Sequence, residues 1–137
     1  MSFTPDEEIQ KTAVAYAQDA CDFLRDHFKI TLDWTDASIE HIEATMENFY
    51  RQLENARPSN EKVIEFSKMF GSYIGEVYRK NHGGTWGIVE MNGSRFPGMK
   101  AEKSDTLFWP WGRARNRLLD GPENNVWHYY NELIKQR

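Results

Sequence analysis

The stretch HGGTWGIVEMNGSRFPG, His82 to Gly98, decides how the chain folds. It admits two readings: a glycine-rich phosphate cradle, or a helix stop followed by a β-hairpin. A phosphate loop needs a strand, then glycines, then the start of a helix, so that free amides point at the anion. Here the order is reversed. Helical periodicity runs into Asn81-His82, and Gly83 supplies the left-handed position after a helix. Thr85 to Met91 then has strand composition, and Asn92-Gly93 is the strongest two-residue hairpin signal. Ser94 to Met99 returns as the partner. Pro97 cannot donate a ladder bond, so this return strand is expected at an edge or with a bulge. Neither GxxxxGK[ST] nor GxGxxG occurs, and the glycines read as punctuation.

Upstream of the stretch lies a helix with a wide apolar stripe: Val63, Phe66, Met69, Phe70, Tyr73, Ile74 and Val77. Beside it runs a strip of Ile64, Ser67, Gly71, Gly75 and Tyr78. Two glycines in a helix interior cost roughly 1 kcal/mol each, so close approach of another backbone is expected there. Only Glu65, Lys68, Ser72, Glu76 and Arg79 remain as a polar strip, which makes this the central helix. Ser59 or Asn60 caps it, after a break at Arg57-Pro58. Before the break, Ile39, Ile42, Met46, Phe49 and Leu53 mark a second helix, capped by Thr35 or Asp36. Its acids Glu40, Glu43 and Glu47 fall on the opposite side. A first helix opens at Thr4-Pro5-Asp6-Glu7, read as a capping box with proline at the first helical position. Its face is Ala13, Tyr16, Ala17, Ala20, Leu24 and Phe28. Lys29 to Trp34 is a short strand or an extended connector.

Downstream, Thr106 to Trp109 can pair as a third strand. Pro110 opens a fourth helix ending near Leu119, and Pro122 opens a last one with Val126, Trp127, Tyr130, Leu133 and Ile134 inward. Helices, a small antiparallel sheet around the 85–99 hairpin, then helices again is an α+β pattern. About five helices pack around that sheet, and 137 residues fit one globular domain, 1–137.

Charge is unevenly placed. The net is −4, but residues 1–60 carry twelve acids and five bases, whereas 61–137 carry nine acids and twelve bases. Nucleic-acid binding by the whole chain is not expected, since phosphate contacts call for a strong basic excess. Cys21 is the only cysteine, which excludes an internal disulfide and cysteine-based zinc sites and fits a reducing, cytoplasmic setting. The acidic start has no apolar run of a secretory signal, and no stretch approaches the 18 apolar residues of a membrane span.

Candidate chemistry is sparse. No two of His27, His41, His82 and His128 have helical metal-pair spacing. His27 lies at the edge of an apolar face, where a satisfied core histidine is the expectation; His41 and His128 fall on solvent faces. Cys21, at the margin of a helix face, reads as packing. No cofactor, metal site or catalytic residue is assigned. Glu76 flanks Gly75, and a pair with Lys80 at i,i+4 accounts for it. The strongest candidate is Phe108 to Arg117 (FWPWGRARNR). From Arg95 to Arg117 there are six bases and two acids. Arg113 and Arg117 share a helix face opposite Trp111, Ala114 and Leu118, while Arg115 points toward the apolar side and needs an acid. Tryptophan and arginine dominate binding hot spots. Against this stands the reading that Trp109 and Trp111 are core and that the arginines pair with the chain's own acidic helices.

Phe70-Gly71, Gly75-Glu76, the glycine break, Trp86 on a strand, Pro110 and the basic pair Arg115 and Arg117 before Gly121 together resemble a family of small bacterial α+β domains of unknown function. The resemblance spans Ile39 to Gly121 and rests on scaffold residues. It implies a bacterial, cytoplasmic α+β domain and no catalytic residues. Small acidic proteins of this style are often immunity or antitoxin partners of toxins. Two functions are therefore expected in competition. One is a non-enzymatic protein-binding domain that masks a partner, such as a toxin, through Trp109, Trp111, Arg113, Arg115 and Arg117 or through Glu40, Glu43 and Glu47. The other is a small enzyme or ligand-binding domain with a pocket near Trp86, Glu76, Arg79 and Arg115. Oligomeric state is left open.

Overall fold

The computed structural model describes residues 1–53 and 59–135. The elements run β1 (Ser2–Pro5), α1 (Glu7–Phe28), α2 (Ile39–Leu53), α3 (Asn60–His82), β2 (Gly84–Met91), β3 (Ser94–Ala101), β4 (Leu107–Phe108), α4 (Pro110–Asp120) and α5 (Val126–Lys135). Single 3₁₀ turns, Asp36–Ser38 and Pro122–Asn124, precede α2 and α5. The strands form one antiparallel sheet in the order β1-β2-β3-β4. The fold is α+β. The break expected at Arg57-Pro58 lies outside the described residues.

The hairpin is as its turn chemistry dictates. Asn92 and Gly93 both sit at positive φ, 53° and 80°, the backbone of a primed two-residue turn. Gly83, at φ 84°, closes α3, its N–H bonding Arg79 O at 3.1 Å. The β2–β3 register is one-to-one from Gly84↔Ala101 to Met91↔Ser94, with no bulge. Nor is β3 an edge along its full length, because β4 pairs at Met99 and Lys100. Pro97 is tolerated because β4 is too short to reach it, so no ladder bond is asked of its nitrogen.

The N-terminus departs from its expected reading. Residues 2–5 form a strand on β2, with Phe3 opposite Val89 and Pro5 opposite Gly87. Helix α1 starts one cap later. Asp6 is the N-cap, its carboxylate accepting from the amides of Glu8 (2.9 Å) and Ile9 (3.0 Å). Pro5 is thus an edge-strand residue and not the first helical one. Lys29 to Trp34 is a connector with no strand. Thr35 and Ser59 cap as their side chains allow, each accepting a backbone N–H three residues on.

Helix α3 lies at the centre, between α1 and α4 and against the sheet, while α2 and α5 pack on the α4 side. Ten consecutive residues, Met69 to Tyr78, are buried, so no polar strip survives in this half: Ser72 and Glu76 are inside. The two helical glycines make that possible. A Cβ on Gly71 would lie 2.6 Å from Pro110 O and 2.8 Å from Trp111 Cα, and one on Gly75 would strike the Trp86 indole. The α3–α4 crossing is therefore a backbone-to-backbone contact. Phe23, Phe49, Phe66 and Phe70 close the other end with ring centroids 5.0–6.4 Å apart.

Candidate functional site

Arg117 is the first surprise. It sits on the inward stripe of α4 with Ala114 and Leu118 and is 1% exposed. Its Nε donates to both oxygens of Glu43 (3.0 and 3.1 Å), and its Nη2 donates to Glu43 Oε2 (2.8 Å) and Glu47 Oε1 (2.7 Å). Glu43 also accepts from the first amide of α5, Val126 N, at 2.9 Å. One carboxylate thus ties α2, α4 and α5 together. Burial by itself would lower the guanidinium pKa, and the two carboxylates more than reverse it. Arg117 and then Arg51, bonded at 2.7 Å, hold the Glu47 carboxyl below its ordinary range. One of the candidate arginines, Arg117, and two of the candidate acids, Glu43 and Glu47, therefore pair with each other within the fold. Arg117 and Glu43 face each other and not solvent. The orientation of α4 is also reversed: Arg115 is exposed and Arg117 is the inward one.

The second group is Trp86, Glu76 and Arg79. Glu76, 1% exposed, takes the Trp86 indole N–H at 3.0 Å and a fork from Arg79 at 2.7 and 2.8 Å. Its partner is Arg79, not Lys80, whose ammonium lies over the Trp34 ring at 5.0 Å. The structure brings these three residues together as a hydrogen-bonded cluster, Glu76 and Trp86 buried and Arg79 half-buried, on the face where Gly75 makes room for the indole. Arg115 has no part in it. Trp86→Phe should cost about 1–3 kcal/mol, because a buried carboxylate then loses a donor. Chemical denaturation followed by far-UV circular dichroism checks this.

The third group was not foreseen. Asp36 accepts from Tyr130 Oη (2.5 Å) and meets His82 Nε2 (2.9 Å). Close by, Trp34 sits at φ 64°. It is locked by Tyr73, whose hydroxyl accepts Trp34 N–H (3.0 Å) and whose ring stacks at 4.8 Å, and by Asn81 on its carbonyl (2.9 Å). No local signal links Asp36 to residues 46 and 94 positions away. Burial pushes the Tyr73 phenol up to about 12. Burial, then the Asp36 contact, push Tyr130 higher still, and burial raises Tyr129. Folded chains thus hold protons that unfolded ones lose near pH 10, so stability is intact below that pH and falls as pH rises through about 12. In a 295 nm titration, these three of the six tyrosines should ionise late, together with loss of structure.

The remaining candidates lie outside. Trp109 is half-buried, edge-on to Phe96 at 5.2 Å. Trp111 is half-buried too: its indole N–H bonds Ser72 Oγ at 2.7 Å, with Lys68 5.5 Å from the ring centroid. The Arg113 guanidinium carbon lies over the Tyr129 ring, 4.1 Å from its centroid, and Arg113 forms no ion pair among the described residues. A cleft of ≈ 340 Å³ opens between β4 and α5, with Trp109, Arg113 and Tyr129 among its walls. Glu40 is exposed, and Asp19, Asp22 and Asp26 rim a second open cleft over Phe23, Phe66 and Met69. Of the histidines, His27 is exposed with its ring 4.4 Å from Phe23, not a core residue; His41 and His128 are exposed as expected. Burial raises the Cys21 thiol to about 11, leaving little thiolate at neutral pH. Among the described residues no group of three or more His, Cys, Asp or Glu is placed to hold a metal ion, and no helix is long and apolar enough to cross a membrane.

No family model, curated protein or solved structure matches this chain.

Proposed function

We propose that the chain is a non-enzymatic, bacterial protein-binding domain that masks a partner through a charged surface, as an immunity or antitoxin protein masks a toxin. The supporting observation is how its charged groups are used. Those taken furthest from water, Glu76 and Arg117, and the largely covered Glu43 are spent on internal pairs: Glu43 and Arg117 tie α2, α4 and α5, and Glu76 ties α3 to β2. On α4 the bases Arg113 and Arg115 form no ion pair among the described residues, and Arg113 shares a cleft with the half-exposed Trp109. That is the composition of an interface centre. Arg117, Glu43 and Glu47 then act as positioning residues that hold α4 in place.

The test is capture of partners from a lysate of the source organism with tagged full-length chain, quantified by mass spectrometry. Two folded variants run beside it: Arg113→Ala/Arg115→Ala and Asp19→Lys/Glu40→Lys. Arg117 and Glu43 are left intact because their loss would unseat α4. One stoichiometric protein lost only with the arginine variant supports this face, and one lost only with the acid variant moves the interface to α1 and α2. Absence of any stoichiometric partner overturns the reading.

A further inference from the structure

We propose that the cleft between β4 and α5 receives an extended segment of a partner protein, which adds as a strand to the free edge at Leu107 and sets a single carboxylate on Arg113. The proposal rests on the protein-binding reading and names the chemistry that such a partner must bring.

The sheet supplies the first half of the argument. β4 is the last strand, paired on one side only. Thr106 O accepts Ala101 N–H at 2.8 Å, and Phe108 lies opposite Met99. In an antiparallel ladder, bonded residues alternate, so Thr106 and Phe108 direct their polar groups at β3. The N–H and C=O of Leu107 then point away from the sheet. No turn or loop bond among the described residues takes them up. These two groups can template an incoming strand.

Two backbone bonds alone make a weak complex, so the walls must add recognition. Leu107, Trp109, Arg113, Tyr129 and Leu133 line the cleft. The Arg113 guanidinium carbon lies over the Tyr129 ring, 4.1 Å from its centroid, which restrains the side chain at the cleft before any ligand arrives. Across the cleft, Glu132 is engaged by Lys135 at 3.2 Å and does not supply the missing acid. A carboxylate fits the guanidinium fork bidentately. The other walls, Leu107, Trp109 and Leu133, are apolar, so the segment carries one acid among apolar, β-forming neighbours.

The probe is a library of random heptapeptides displayed on phage, panned against the immobilised full-length chain. Recovered peptides should share one Asp or Glu flanked by β-branched or aromatic residues. Synthetic copies should bind Arg113→Ala about tenfold or more weakly. Arg113→Glu should reject them and accept the copies in which lysine replaces the acid, a swap that a merely unfolded variant could not produce. Hydrogen exchange at the Leu107 amide should slow when peptide is bound. A library that returns no binder, or binders without an acid, overturns the proposal. So does affinity indifferent to Arg113, or unchanged exchange at Leu107. Capture of a stoichiometric partner that survives Arg113→Ala would sink this proposal while leaving the protein-binding reading in place.

Discussion

Glu43→Ala should lower the unfolding free energy by about 3–5 kcal/mol, the usual cost of removing one member of a buried ion pair. The substitution strips Arg117 of three of its four hydrogen bonds and leaves the first amide of α5 without its acceptor. Among the described residues only Glu47 still opposes the guanidinium, and Glu47 is the more exposed carboxylate, at 27% against 12% for Glu43. Domains of this kind have about 5–15 kcal/mol in total, so this one change brings the chain near its threshold. Urea denaturation at neutral pH measures it. The double variant Glu43→Leu/Arg117→Met should recover a large part of the loss, since an apolar pair of similar volume often replaces a buried ion pair without cost. If the single variant stays within 1 kcal/mol of the parent, the three-helix tie is not what holds α4.

Gly71→Ala gives the second large effect, and its sign is the informative part. Helix propensity alone predicts a gain of roughly 1 kcal/mol from replacing a mid-helix glycine. The packing predicts the reverse. The new methyl would lie 2.6 Å from a backbone oxygen of Pro110, and backbone cannot rotate away as a side chain does. Helix α4 has to slide off α3, at a net cost of about 1–3 kcal/mol. Gly112→Ala is the control: its methyl meets only Trp109 Cδ1, at 3.2 Å, so propensity should win there and stability should hold or rise. Thermal melts of both variants decide the matter. Because α4 carries Arg113 and Arg115 and begins beside Trp109, Gly71→Ala should also weaken whatever binds that face, whereas Gly112→Ala should do so less.

Several residues show which parts of this molecule are legible from sequence. The stop at Gly83, the turn at Asn92-Gly93 and the start at Pro110 are readable and occur, and of the two residues open at each cap the structure uses Thr35 over Asp36 and Ser59 over Asn60. Each acts within about four residues, where geometry is set by the local backbone and one side chain. The need for close approach at Gly71 and Gly75 was readable too, although the elements that approach were not.

The Trp109 to Arg117 segment was visible as a candidate, but its faces were misassigned. Successive helical residues are 100° apart, so Arg115 and Arg117 point to different sides of α4. The pattern reading turns Arg115 inward and asks for an acid partner, yet the inward arginine is Arg117. Arg117 occupies the apolar stripe because Glu43 and Glu47 wait for it on α2, 74 and 70 residues away. Residues 2–5 became a strand for the same kind of reason: the edge of β2, more than 80 residues on, offers it a ladder.

By itself, the sequence determined most helix and turn boundaries, the start of α1 excepted, and hence the α+β class, because those choices rest on contacts between near neighbours. Which strand joins the sheet edge, which arginine is buried, and which one is left free over Tyr129 were decided only by the tertiary structure. Those outcomes depend on desolvation, and a charge is taken out of water only when folding brings its partner to it.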